Sequence, residues 1–291
     1  MLLVKIAYKN EENFIQDIQE VKEVLKNKGI KIGISEFIEN DTHFIKVFCD
    51  DEDLQSKENV KNKILLYISN LIYRVIINNY RKNELFEYLT ENYFFLKHEE
   101  IIEVDKKIKS VFESETYLKS ERKLQCINKI TEIENTINSF MKEDNFINIE
   151  GFMRFRVKTI RPILEDIVDK IIEEYMVEKE YDEFIDLLKY FVDIQESRID
   201  DVNIFLMENG EYIVKDTDGK DLLNQFSNEL LEDKEVGATS QEDVIISGLI
   251  ANSPKCIKVY NQKYCLNEEF LITISKVFRD RVDFLESKNI L

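Results

Sequence analysis

The sequence predicts an α+β fold, predominantly helical, with a central helical bundle and small α/β lobes at the N- and C-terminal ends. Three observations predict it. Only 7 Gly and 2 Pro, with no Trp, stand in 291 residues, a composition that favours helices over turn-rich β structure. Apolar residues recur at spacings of three and four through the middle of the chain. Short strand-like runs bounded by turn residues occupy both ends. The expected divisions are a β-α-β-β lobe over 1–52, a helical core over 53–200, and a C-terminal α/β lobe over 201–291 that begins with a β-hairpin.

Leu2 to Tyr8 reads as a strand. Glu11 to Lys28 reads as a helix carrying Phe14, Ile18, Val21 and Leu25, stopped by Gly29. Ile30 to Ile38 and His43 to Asp50 read as strands joined through the hairpin-like turn Glu39-Asn40-Asp41-Thr42. From Lys57 to Asn79 comes the most apolar stretch, hydrophobic on nearly every face. Ser69-Asn70 and Arg74 interrupt it short of the roughly 20 apolar residues that a membrane span needs, so the expectation is a central helix surrounded by protein. Further helices are expected at Asn83 to Lys97, Glu99 to Phe112 and Ser120 to Lys142.

The segment from Phe146 to Asp201 organises the rest. Met153, Val157, Ile160, Leu164, Ile167, Ile171 and Tyr175 alternate spacings of four and three, with Val168 and Ile172 widening the stripe. Tyr181, Phe184, Leu188 and Phe191, flanked by Ile185 and Val192, repeat the device, so two consecutive amphipathic helices with almost no loop between them are expected to bury these side chains. Pro162 lacks the N–H that would bond back to Lys158, which predicts a kink or a fresh helix start near Arg161. Arg154, Lys158 and Arg161 share one helical face by their spacing, whereas Arg156 points elsewhere; these four are the candidate binding residues.

The run Glu150-Gly151-Phe152-Met153-Arg154-Phe155-Arg156-Val157-Lys158, followed by Glu173-Glu174-Tyr175, Glu180-Tyr181-Asp182-Glu183-Phe184-Ile185 and Leu187-Leu188-Lys189-Tyr190-Phe191-Val192, resembles the core of the YtxC-like family of sporulation proteins from endospore-forming Firmicutes. There a Phe-Arg-Leu-Lys type motif opens a long helix and a Tyr-Phe-Val type motif closes the next. The resemblance extends from Phe146 to Asp216. Departures are Val157 for the usual Leu, Pro162 inside a helix, and Ser197 where proline is expected. What the resemblance implies is a link to sporulation; it supplies no reaction.

Beyond this segment, Val202 to Met207 and Glu211 to Asp216 flank Asn209-Gly210, a hairpin signal because both residues tolerate positive φ. Asp216-Thr217-Asp218-Gly219-Lys220-Asp221 looks like part of a calcium loop but lacks the later acidic residue, so a turn with Asp218 or a neighbour capping a helix is expected. Helices follow at Leu222 to Leu231 and Gln241 to Asn252, with Glu232 to Ser240 as a mobile loop between them. Cys256 to Tyr260 reads as a strand, Asn267 to Phe278 as a helix and Val282 to Leu285 as a final strand.

Chemistry is conspicuous by what is missing. The chain has no Gly-rich phosphate loop, paired-histidine helix, nucleophile elbow or dinucleotide fingerprint. Its two histidines, His43 and His98, have no acid–thiol or metal-ligand pattern around them, and no cofactor or metal is expected. Cys49, Cys126, Cys256 and Cys265 are scattered, which fits four free thiols in a reducing cytoplasm. The N-terminus, interrupted at once by Asn10, Glu11 and Glu12, does not read as a signal peptide. A net charge of −18 opposes binding of nucleic acid or anionic lipid through the general field, unless a local basic patch overcomes it. The expectation is a non-catalytic cytoplasmic protein acting through protein contacts. Two alternatives stand beside it: nucleic-acid or phosphorylated-ligand binding through Arg154, Lys158 and Arg161, and an enzyme with a pocket collecting carboxylates from separate segments.

Overall fold

Strand and helix signals become a predominantly helical α+β structure in a computed structural model that describes residues 1–9, 14–49, 57–113, 120–155, 157–231 and 240–286. The chain divides into two units, Met1–Tyr175 and Met176–Leu291, and the division falls inside one helix.

The first unit opens with β1 (Leu2–Tyr8), α1 (Phe14–Asn27), β2 (Ile32–Glu39) and β3 (Thr42–Cys49). Gly29 closes α1 at φ +78, a left-handed cap natural to glycine. Asn40 and Asp41 turn the hairpin with φ of 44 and 63, the twist that a two-residue connection needs. Four helices follow: α2 (Lys57–Asn83), α3 (Leu85–Asn92), α4 (His98–Phe112) and α5 (Ser120–Asp144). Then come β4 (Phe146–Asn148), α6 (Ile149–Phe155) and α7 (Val157–Ile194). The sheet order is β2-β3-β1-β4, with β1 antiparallel to β3 and parallel to β4. Strand β4 had no signal of its own; three residues pair with β1 only because the fold brings them there.

One sheet face buries Val4, Ile6, Tyr8, Ile45 and Val47, and α1 buries Phe14, Ile18, Val21 and Leu25 at the expected spacing. Helix α2 packs against α5, α1 and α3, burying ten large side chains from Ile64 to Tyr80. The hydroxyl of its buried Ser69 donates to the Leu65 carbonyl at 2.8 Å. Helix α3 is shorter than expected. It ends at Asn92: the amide of Tyr93 still donates to the Leu89 carbonyl, but the backbone of Tyr93, at φ −126 and ψ 46, has left the helical region.

The organising segment is one helix of 38 residues, where two were expected. The stretch from Met176 to Glu180 contains no Gly, Pro or capping residue to end it. The helix runs without interruption from Val157 through Pro162, so no fresh start falls at Arg161. Ile160, Leu164, Ile167, Val168, Ile171 and Ile172 are buried as predicted.

In the second unit α7 leads into β5 (Asp201–Leu206), β6 (Tyr212–Lys215), α8 (Leu223–Leu231), α9 (Gln241–Asn252), β7 (Cys256–Tyr260), α10 (Glu268–Phe278) and β8 (Val282–Leu285). The sheet order is β6-β5-β7-β8; β5 and β6 are antiparallel, and the other pairs parallel. Asp216 Oδ1 accepts from the amides of Asp218 and Lys220, and Asp221 Oδ1 from that of Leu223, so the calcium-like run is a turn whose last aspartate caps α8. Residues 232–239, expected as a loop, and Glu11 to Asn13, expected in α1, lie outside the described residues.

The core of this unit joins Val202, Ile204, Tyr212, Val214, Ile257 and Val259 of the sheet to helix residues such as Phe226, Leu249 and Ile274. From α7 it receives Ile185 and Val192, with Leu188 packed at its edge. Tyr181, Phe184 and Phe191, expected inside, are exposed. The two apolar rows lie side by side on the helix, and the neighbouring sheet selects the one that is buried. Among the described residues no helix is long and apolar enough to cross a membrane.

Candidate functional site

Of the four basic residues singled out by spacing, three are described. Arg154 is exposed on α6, its guanidinium carbon 5.9 Å from the ring of Phe155. Lys158 and Arg161 are exposed on α7, and Arg161 is ion-paired with Glu84 of the first unit. Arg156 lies outside the described residues. Arg154 belongs to α6, and Lys158 and Arg161 belong to α7.

Carboxylates do converge elsewhere. A groove of about 660 Å³ between α1, α2 and α5 is lined by Asp17, Glu20, Lys63, Asn70, Arg74 and Glu134 over apolar side chains. Burial and the neighbouring Glu20 raise the Asp17 carboxyl, with Arg74 acting in the opposite sense. Asn70 donates to Glu134 Oε1 at 2.8 Å. A polar ligand with both signs of charge matches this lining; among the described lining residues there is no histidine or cysteine. The signal was present in the sequence: Lys63, Asn70, Arg74 and Asn78 recur at helical spacing on an otherwise apolar helix. Read as interruptions, they are a polar stripe.

Aromatic hydroxyls form a second polar cluster in the first unit. Tyr88 and Tyr93 both donate to Asp169 Oδ1, at 2.6 and 2.7 Å. Burial, and then the bonded Asp169 carboxylate, push both phenols well above their usual range. The cluster ties α3 to α7. His43, half-buried, places Nδ1 2.7 Å from Glu36 Oε1, which also accepts from Tyr8. All four cysteines are free, and among the described residues no group of three His, Cys, Asp or Glu side chains is arranged to hold a metal ion.

Two surfaces have unusual composition. In the second unit α7 exposes Val177, Phe184, Leu187, Tyr190, Phe191 and Ile194. Phe184 is 54% and Phe191 42% exposed, large values for phenylalanine on one side of a helix. Val177, Phe184 and Phe191 are seven apart, as are Leu187 and Ile194, so the row follows the helix axis for roughly 25 Å. Glu180, Glu183 and Asp186 accompany it.

In the first unit, the sheet face opposite α1 carries Lys5, Phe37, Phe44, Lys46 and Phe146. Phe37 and Phe44 stack with centroids 4.9 Å apart and planes at 13°. Lys5 Nζ lies 4.6 Å from the Phe44 centroid, 5.7 Å from that of Phe37 and 5.5 Å from that of Phe146. Lys46 Nζ lies 5.1 Å from that of Phe37.

Comparison with known proteins gives one family. A family model described as the YtxC-like family matches residues 66–283. The "Uncharacterized protein YtxC" of Bacillus subtilis (strain 168) is 25% identical over 159 residues, 53% of this chain and 53% of that protein. The chain thus spans about half the length of this curated relative. No solved structure matches.

Proposed function

From the premise that the chain belongs to the YtxC-like family, whose model covers residues 66–283, we propose that it serves sporulation as a non-catalytic cytoplasmic protein that docks a partner on the exposed face of α7. The observation that carries this reading is the row Phe184, Leu187, Phe191 and Ile194 standing in solvent beside Glu180, Glu183 and Asp186. Burying each large apolar side chain contributes about 1.5–3 kcal/mol, so four of them suffice for a specific contact. Seven-residue spacing suits a helix laid alongside. The carboxylates set the partner's charge: they repel phosphates and anionic lipid headgroups, and favour a helix flanked by lysine or arginine.

The test is a strain of the source organism carrying Phe184→Glu and Phe191→Glu together. Both positions are exposed, so the purified variant is expected to melt like the parent while spore yield falls as in a deletion strain. A photo-crosslinker at Leu187 is expected to capture one defined protein during sporulation and to lose it in the double variant. Normal spores from the deletion strain would end the sporulation reading. Normal spores from a double variant that stays folded would remove α7 as the docking face.

A further inference from the structure

We propose that the open face of the N-terminal sheet binds single-stranded nucleic acid, with Phe37, Phe44 and Phe146 stacking bases and Lys5 and Lys46 holding phosphates. Strand register places Lys5 directly opposite Lys46 on the two central antiparallel strands. Like charges in that position destabilise a sheet. Acidic side chains outnumber basic ones 58 to 40 in this chain, yet among the described residues neither lysine has a carboxylate within ion-pair distance. The ammonium groups rest over phenyl rings instead. A repelling pair with no counter-charge of its own is completed by an anion from outside.

Composition of the face narrows the anion. The large apolar side chains around the lysines are aromatic, and Phe37 and Phe146 are exposed. Gly33 and Ser35 of β2, at neighbouring positions of this face, are small and exposed. Rings offer a stacking surface to any base, whereas an acidic peptide would gain more from aliphatic clefts. Four strands side by side span roughly 14 Å from β2 to β4, a platform for two or three nucleotides. An extended strand suits this open surface, because a lone nucleotide would meet only one ring at a time. On binding, each base takes a ring face and the displaced ammonium turns to the adjacent phosphate.

The net charge of −18 works against this contact at long range, which fixes its character. Two phosphate contacts imply a shallow salt dependence, log K falling by about 1.4 per log unit of salt, with stacking supplying most of the affinity. Lys5, Phe37, Phe44 and Lys46 lie outside residues 66–283 and only Phe146 lies within them, so the inference does not rest on the family reading or on the α7 surface.

The experiment uses the full chain and a fluorescein-labelled twelve-residue oligothymidylate, followed by anisotropy at 50 mM salt and above. Saturable binding is expected, with a duplex of the same length and polyglutamate both at least tenfold weaker. Phe44→Leu is expected to weaken binding about tenfold or more, the loss of one stacked base. Lys46→Gln is expected to weaken it, halve the salt slope and, because it removes the like-charge pair, leave the melting temperature equal or higher. A merely structural lysine would lower it. Phe146→Leu, at an exposed edge position, gives a second reading if the Phe44 variant folds poorly. No saturable binding at 50 mM salt, equal binding of polyglutamate or duplex, or indifference to both phenylalanine substitutions would overturn the proposal.

Discussion

Gly248 sits where a methyl group has no room. A Cβ added there would lie 2.1 Å from Cγ of Phe226, a ring carbon held close to the backbone of a fully buried side chain. Alanine gains about 1 kcal/mol of helix propensity over glycine, but overpacking of this severity costs about 3 kcal/mol. Gly248→Ala is therefore expected to destabilise the second unit by about 2 kcal/mol in urea unfolding, with Phe226→Leu recovering part of the loss; a neutral result would mean that α8 and α9 are less closely apposed. Ser253 is a comparable case without a sequence signal. It closes α9 in left-handed conformation, φ 43, and is fully buried. Its hydroxyl donates to the Val192 carbonyl at 2.9 Å and accepts from Arg281 at 3.0 Å, which offsets the backbone cost.

At the scale of the element, α7 separates what periodicity can and cannot decide. Ile167 and Phe191 occupy equivalent places in the 3-4 pattern, yet Ile167 is fully buried and Phe191 is 42% exposed. Ile167→Ala is expected to cost about 2–5 kcal/mol, as cavities in cores do, and Phe191→Ala less than about 1 kcal/mol. Chemical denaturation of the two variants measures the difference; equal losses would place Phe191 in the core. Of the six residues on this half of the helix that the pattern assigned to the interior, Ile185, Leu188 and Val192 carry the burial, and Tyr181, Phe184 and Phe191 stay exposed. Because both rows are apolar, the helical period alone could not choose between them. The proposed docking face consists of the residues left over.

At the scale of the whole molecule, buried phenols govern the response to alkali. Burial, in places helped by a carboxylate, raises Tyr8 from its usual 10.0 to about 12, and lifts Tyr73, Tyr80, Tyr88, Tyr93 and Tyr212 further. A raised folded-state value means that the neutral phenol is favoured by folding. Its contribution is complete below the unfolded value near 10 and is lost as pH climbs from there toward the folded value. Urea midpoints are expected to hold steady to about pH 10 and then to fall steeply; a constant midpoint to about pH 12 would contradict the burial of these rings. Much of the architecture was already legible along the chain. The sequence by itself determined where most of the helices lie, though not that α7 would be continuous or α3 short, together with the turns at Asn40-Asp41 and Asn209-Gly210, because these follow from local sterics and period. Only the tertiary structure decided that Phe146–Asn148 would pair with β1, that Lys5 would face Lys46, that Asp17 and Glu134 would line one groove, and that Phe184 would stay outside. Each of these depends on segments distant along the chain meeting in space, and a periodic pattern records which residues lie together without recording what comes to cover them.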